Sequence, residues 1–177
     1  MRAVSRSPNP EQILRGGFVL ELAGRPGSGR RYAAYGLVSR LGGRALYLDY
    51  SGAAWRSGGG WRGVSFETPD GPLELLSAFA GAEEGLVVLD SVPRVFHAFQ
   101  LDYRSRWGLV ASLLALAVDR ASRGLGSLFI NYWDGSRSFG ERVLGVYYTH
   151  RALAARRDSR VILELYHPIS LVLELPL

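Results

Sequence analysis

Gly24-Arg25-Pro26-Gly27-Ser28-Gly29-Arg30-Arg31 follows the apolar run Phe18–Ala23 and precedes a helical pattern over residues 32–41. Strand, glycine-rich turn and helix, in that order, are the context of a phosphate-binding P-loop. The spacing matches G-x-x-x-x-G-K-S/T as far as the second glycine. The lysine position then holds Arg30, and the hydroxyl position holds Arg31. The stretch keeps the shape of an ATP site and lacks two groups of its chemistry.

Downstream of the loop, apolar runs alternate with helical patterns. Residues 44–50 (RALYLDY) read as a second strand, and 51–63 as a glycine-rich loop carrying Trp55 and Trp61. Val64–Glu67 reads as a short strand, and 72–82 as a helix opened by Pro72. Residues 85–90 (GLVVLD) form a continuous apolar strand ending in Asp90. A long helix over 105–122 closes at Arg123-Gly124, and 127–132 is the next apolar strand. Three further strand-like runs, 142–149, 160–166 and 171–175, have short polar joins. The pattern predicts an α/β domain with a mainly parallel sheet flanked by helices and antiparallel C-terminal strands along one edge. Residues 1–12, polar with two prolines, read as a loose arm.

A length of 177 residues with 47% hydrophobic content suits one domain with a sizeable core. The longest apolar run, 109–118, is interrupted by Ser112 and is too short to span a membrane. Residues 1–15 lack the apolar centre of a signal peptide, so a soluble, cytoplasmic protein is expected. The chain has no cysteine, and His97, His150 and His167 lack metal-ligand spacing; no metal site is expected. All 21 basic residues are arginine and the net charge is +5. A lysine-free chain points to drift toward arginine codons. Drift accounts for Arg30 but not for Arg31, which replaces a hydroxyl. No cysteine, one methionine and abundant arginine are compatible with a hot habitat. The positive balance suits a polyanion partner, or serves solubility alone.

Several pieces together resemble the ATPase core of the RecA/RadA recombinases. They are Leu14-Arg15-Gly16-Gly17-Phe18, Leu20-Glu21-Leu22, the loop itself, and Ala45-Leu46-Tyr47-Leu48-Asp49. Leu86 to Val92 is similar to that family's Walker B strand, and Phe129-Ile130-Asn131 to its strand ending in T-N-Q. An arginine-rich turn (Arg151, Arg156, Arg157, Arg160) and His167-Pro168 resemble its closing strands. The resemblance implies a RecA-like P-loop NTPase core over residues 1–177. It implies a nucleotide or phosphate site at Gly24, Gly27, Ser28, Gly29, Arg30, Arg31 and Asp90.

The same resemblance shows what is missing. The position of the family's catalytic glutamate holds Ser51, and that of the coupling glutamine holds Tyr132. Arg31 stands where a hydroxyl would hold Mg²⁺, and a guanidinium there repels the ion. No catalytic residue is expected. ATP, ADP or phosphate binds without turnover, or the loop is a structural turn; the sequence leaves both open. Arg104, Arg106 and Trp107 fall near the family's first DNA loop and Arg137 near its second. They are candidate DNA contacts, with core packing of Trp107 as the alternative. Phe79 ends a helix and is expected to face the core.

The function implied is that of a non-catalytic paralogue, similar to an archaeal RadA paralogue with a degenerate loop. It would assist recombinational DNA repair by binding single-stranded DNA, a RadA-type recombinase, or both. The alternatives are an ATPase completed by a partner subunit and a structural subunit of a repair complex.

Overall fold

The computed structural model describes residues 14, 16–41, 43–52 and 61–176. The expected arm at 1–12 and Trp55 lie outside them.

Strands that are apolar throughout need cover on both faces, and four such runs form the centre of the sheet. They are β1 (Phe18–Ala23), β2 (Ala45–Asp49), β4 (Leu86–Asp90) and β5 (Gly126–Ile130), every residue of which is buried. Helix α1 (Arg30–Leu41) follows β1, and the half-exposed strand β3 (Val64–Glu67) follows β2. Helix α2 (Pro72–Gly81) precedes β4; α3 (Val92–Ala98) and α4 (Tyr103–Ser122) follow it. Three strands close the chain: β6 (His150–Arg157), β7 (Arg160–His167) and β8 (Leu171–Pro176). The sheet order is β3-β2-β4-β5-β1-β6-β7-β8. Strand β1 is parallel to both β5 and β6, and β7 is antiparallel to its two neighbours, β6 and β8. The mainly parallel sheet with antiparallel C-terminal strands is as expected.

Two cores sandwich the sheet. On one face Ala33, Ala34, Leu37 and Val38 of α1 meet Leu20, Leu22, Ala152, Ala154, Val161 and Leu163. On the other, α2, α3 and α4 bring Leu75, Phe79, Val95, Phe96, Val110 and Leu113 against Val19, Val87 and Phe129. Phe79 is a core residue, as expected. The second core takes no side chain from β6–β8 among the described residues. Trp61 folds back onto the sheet, with Tyr35, Tyr47 and Phe66 around it.

The last third corrects the sequence reading. Residues 142–149 do not form a strand. They form a short helix α5 (Glu141–Leu144) and a 3-10 turn (Gly145–Tyr147). Gly140, at φ +71, sets the turn that starts them. Leu144 and Tyr148 both reach the second core while Val146, midway between them, is 85% exposed; a strand would place all three on one face. The strand beside β1 is instead His150–Arg157, which sequence reading took for an arginine-rich turn. Its small residues Ala152 and Ala154 fit beneath α1.

Arg120 is fully buried and donates Nη1 to Ala82 O at 2.6 Å and Nη2 to Glu84 O at 2.8 Å, just past the end of α2. Burial lowers its pKa, the charge of Arg123 adds to this, and Glu84 opposes. The two carbonyls have no equivalent donor once the guanidinium is gone. Arg120→Ala is expected to cost about 2 kcal/mol, read as a lower urea midpoint at unchanged slope.

Candidate functional site

The loop leaves β1 at the centre of the sheet, where Gly24 O accepts Trp133 N at 3.1 Å. Ser28 N donates back to Arg25 O at 3.1 Å, tightening the turn. Close packing explains two of the glycines. A Cβ on Gly24 would stand 2.3 Å from Ser28 Oγ and 2.9 Å from Ala154 O. Gly29 has φ +82, and its Cβ would stand 2.6 Å from Val161 Cγ2. The loop is thus pressed against β6 and β7. Helix α1 begins at Arg30, so its first-turn N–H groups lack acceptors within the helix, the usual basis of an anion cradle.

Both guanidinium groups after the loop turn into the site. Arg31 Nε donates to Asp90 Oδ2 at 2.5 Å. That oxygen also accepts from Tyr47 Oη at 2.8 Å and is 3.0 Å from Ser51 Oγ. Ser51 Oγ is 2.6 Å from Asp49 Oδ1, so its single proton serves one carboxylate at a time. Arg30 Nη1 donates to the backbone oxygen of Asn131. Burial opposes the charge on Arg31, but the hydrogen bond and field of Asp90 outweigh it and raise the pKa. Arg30 moves the other way: burial lowers its pKa, the neighbouring Arg31 adds to this, and Asp90 opposes. Burial, then the charge of Asp90, pushes Tyr47 far up, so its hydroxyl remains a neutral donor.

Asp90 Oδ2 therefore carries one cation and the Tyr47 hydroxyl, with the Ser51 hydroxyl shared between it and Asp49. This donor set does not fit Mg²⁺, because the guanidinium lies against the carboxylate the ion would need. Among the described residues there is no grouping of His, Asp and Glu suited to a metal.

A buried polar chain extends from Arg30 across the sheet. Asn131, whose backbone oxygen receives Arg30, donates Nδ2 to Glu21 Oε1 at 2.7 Å and to Phe139 O at 3.0 Å. Glu21 is fully buried in β1, and its Oε2 pairs with Arg151 Nε at 2.7 Å. Arg151 Nη2 reaches Glu141 Oε1 at 2.8 Å. Burial opposes the charge on Arg151, and Glu21 more than offsets it, so its pKa is raised. Sequence reading missed Glu21 as a site residue. The available signal was an acid inside an otherwise apolar strand, which needs a buried partner.

The candidate DNA contacts divide. Arg104 and Arg137 are exposed. Arg106 is engaged within the protein: its Nε donates to Leu101 O at 2.9 Å, and its guanidinium lies 5.9 Å over the Phe96 ring. Trp107 stacks on Phe139 at 5.7 Å and 11°. Asp134, beside Arg137, is held at about 2 by the N–H groups of Arg137 and Ser136 and by the Ser136 hydroxyl. A cleft of about 510 Å³ joins Tyr103, Trp107, Tyr132, Arg137 and Arg142. Within the arginine-rich hairpin, Arg151 turns inward to Glu21, Arg160 pairs with Glu174 at 2.5 Å, and Arg156 and Arg157 are exposed.

No family model matches the chain, and no curated protein matches it in sequence. In structure it is similar to a KaiC-like protein of the hyperthermophilic archaeon Pyrococcus horikoshii. The match covers 97% of this chain and 94% of that one, with a TM-score of 0.67 and 11% identity. At that identity the likeness shows the fold alone, and the fold is RecA-like. Among the described residues, no helix is long and apolar enough to cross a membrane.

Proposed function

We propose that this chain is a non-catalytic relative of the RecA/RadA recombinases that assists recombinational DNA repair by binding rather than by turnover. The observation that carries the reading is the 2.5 Å pair between Arg31 and Asp90. It fills the place of the metal with the protein's own cation. Two further features support it. Ser51, hydrogen-bonded to Asp49, has no carboxylate with which to activate water. Arg30 is spent on the Asn131 carbonyl.

The partners are single-stranded DNA, a RadA-type recombinase, or both. Exposed Arg104 and Arg137 supply phosphate contacts, and exposed Tyr103 and Tyr132 supply stacking faces beside them.

Purified protein alone is expected to release no phosphate from ATP with Mg²⁺. Mg²⁺-dependent release abolished by Asp90→Ala would defeat the non-catalytic reading. Single-stranded DNA binding should weaken with salt, the log–log slope shrinking by about 0.7 for each phosphate-contacting arginine removed. No binding at low salt, together with no recombinase contact, would remove the accessory role.

A further inference from the structure

We propose that the cleft between α4 and α5 is a docking groove for an acidic peptide segment of a partner protein, anchored by one aromatic side chain. The inference rests on the accessory reading and deepens its protein side. The cleft holds about 510 Å³. Its walls are Tyr103 on α4, Tyr132 and Arg137 after β5, and Arg142 and Val143 on α5.

Exposed apolar surface gathers here. Tyr103 is 70% exposed and Val143 51%, and Val146, in the turn that follows, is the most exposed of all. Large apolar side chains exposed together mark a contact surface, unlike the same residues scattered singly. The floor beneath them is packed. Phe139 lies parallel to Trp107, and Phe96 and Tyr103 meet the same indole edge-on. A Cβ on Gly140 would stand 2.8 Å from Leu144 Cδ1 and 3.0 Å from Trp107 Cζ3, so α5 sits directly on that ring. A firm apolar floor inside a polar rim is the arrangement of an interface hot spot.

The free charge of the cleft is positive. Its two acids are engaged. Glu141 pairs with Arg151 at 2.8 Å, and Asp134 Oδ1 accepts from Ser136 N, Ser136 Oγ and Arg137 N. Arg137 and Arg142 are exposed, and among the described residues neither has an ion-pair partner. Arginine forks match carboxylates in pairs, and arginine clusters recur as readers of acidic motifs. Phosphates would suit the same two arginines, so the apolar wall decides. Beyond the two tyrosines that wall is aliphatic, and Val143 and Val146 offer no face on which a base stacks. They do pack against a phenylalanine side chain. An acidic segment with an apolar anchor thus matches both halves of the cleft. It shares Arg137 with the DNA contacts, so the two ligands compete.

The test is fluorescence anisotropy on the full chain, with a dye-labelled peptide of aspartates flanking one phenylalanine as the probe. Binding is expected, weakening as salt rises. Asparagines in place of the aspartates, or alanine in place of the phenylalanine, should each weaken it at least about tenfold. The double variant Arg137→Ala, Arg142→Ala should do the same, as should Val143→Asp, which sets a like charge against the peptide. Arg40→Ala, near the end of α1 and outside the cleft, should not. These side chains are all exposed, so the variants are expected to fold. No binding, binding indifferent to the phenylalanine, or binding that survives both cleft variants would overturn the proposal. So would an oligothymidylate that binds alongside the peptide without competing. An oligothymidylate held through Arg142 and Val143 while the peptide fails to bind would give the cleft to nucleic acid instead. The accessory reading is tested on the unaltered chain with DNA and recombinase, so failure of the peptide alone leaves it standing.

Discussion

The double variant Arg30→Lys, Arg31→Thr should bind Mg²⁺-ADP or Mg²⁺-ATP at least ~100-fold more tightly than the unaltered chain. The loop backbone is in place, and Asp90 is at the end of β4, level with Asp49 across the parallel pair. What opposes the metal is one guanidinium 2.5 Å from the carboxylate. A unit charge about 4 Å from another contributes ~4 kcal/mol at an effective dielectric near 20, and a divalent ion feels twice that. The Arg31 side chain is 46% exposed, so solvent screens a good part of this repulsion. Even a residue of ~2.7 kcal/mol amounts to a hundredfold in affinity. Arg30→Lys also releases Asn131 O and returns a slender cation to the loop. Calorimetry with and without Mg²⁺ reads the change directly. A folded double variant that binds no better would place the obstruction somewhere other than these two side chains. Hydrolysis should remain absent in the variant, because Ser51 still supplies no base.

Much of this fold was legible because its central strands are apolar on both faces, and only a buried parallel sheet accommodates runs such as Leu86–Asp90. The loop was legible from its glycines, whose spacing alone located the turn. The 142–149 segment was not. Its valines and tyrosines suit a strand, and the break in alternation is a tertiary demand: Leu144 and Tyr148 enter one core while Val146 between them stays exposed. Helix α3, seven residues with Pro93 in its first turn, was missed because so short a helix shows barely two turns of periodicity. At the site, sequence identified Arg30 and Arg31 as misfits but left their direction open. Whether Arg31 meets Asp90 or solvent depends on how far β4 stands from α1, which the order of residues does not state. The arginines of the hairpin were read as one cluster, whereas the structure gives them different surroundings. Arg151 points to buried Glu21, while Arg156 and Arg157 are exposed near the hairpin turn.

That inward arginine gives the largest expected loss of stability. Arg151→Met should cost about 3–5 kcal/mol at neutral pH, the range for breaking a buried ion pair from one side. Glu21 has no exposed surface, and without Arg151 its only side-chain donor among the bonds described is Asn131 Nδ2 at 2.7 Å. The charge cannot move to water, because β5 and β6 flank it on both sides. Glu21→Leu should cost less, since Arg151 keeps Glu141 at 2.8 Å. The double variant Glu21→Leu, Arg151→Met should recover most of the loss, because it leaves neither a charge nor a vacancy of their combined volume. Urea unfolding of the three variants closes the cycle. A small loss for Arg151→Met would mean that Glu21 is satisfied without the arginine. The polar chain from Arg30 through Asn131 would then have its last stabilising contact at Glu21.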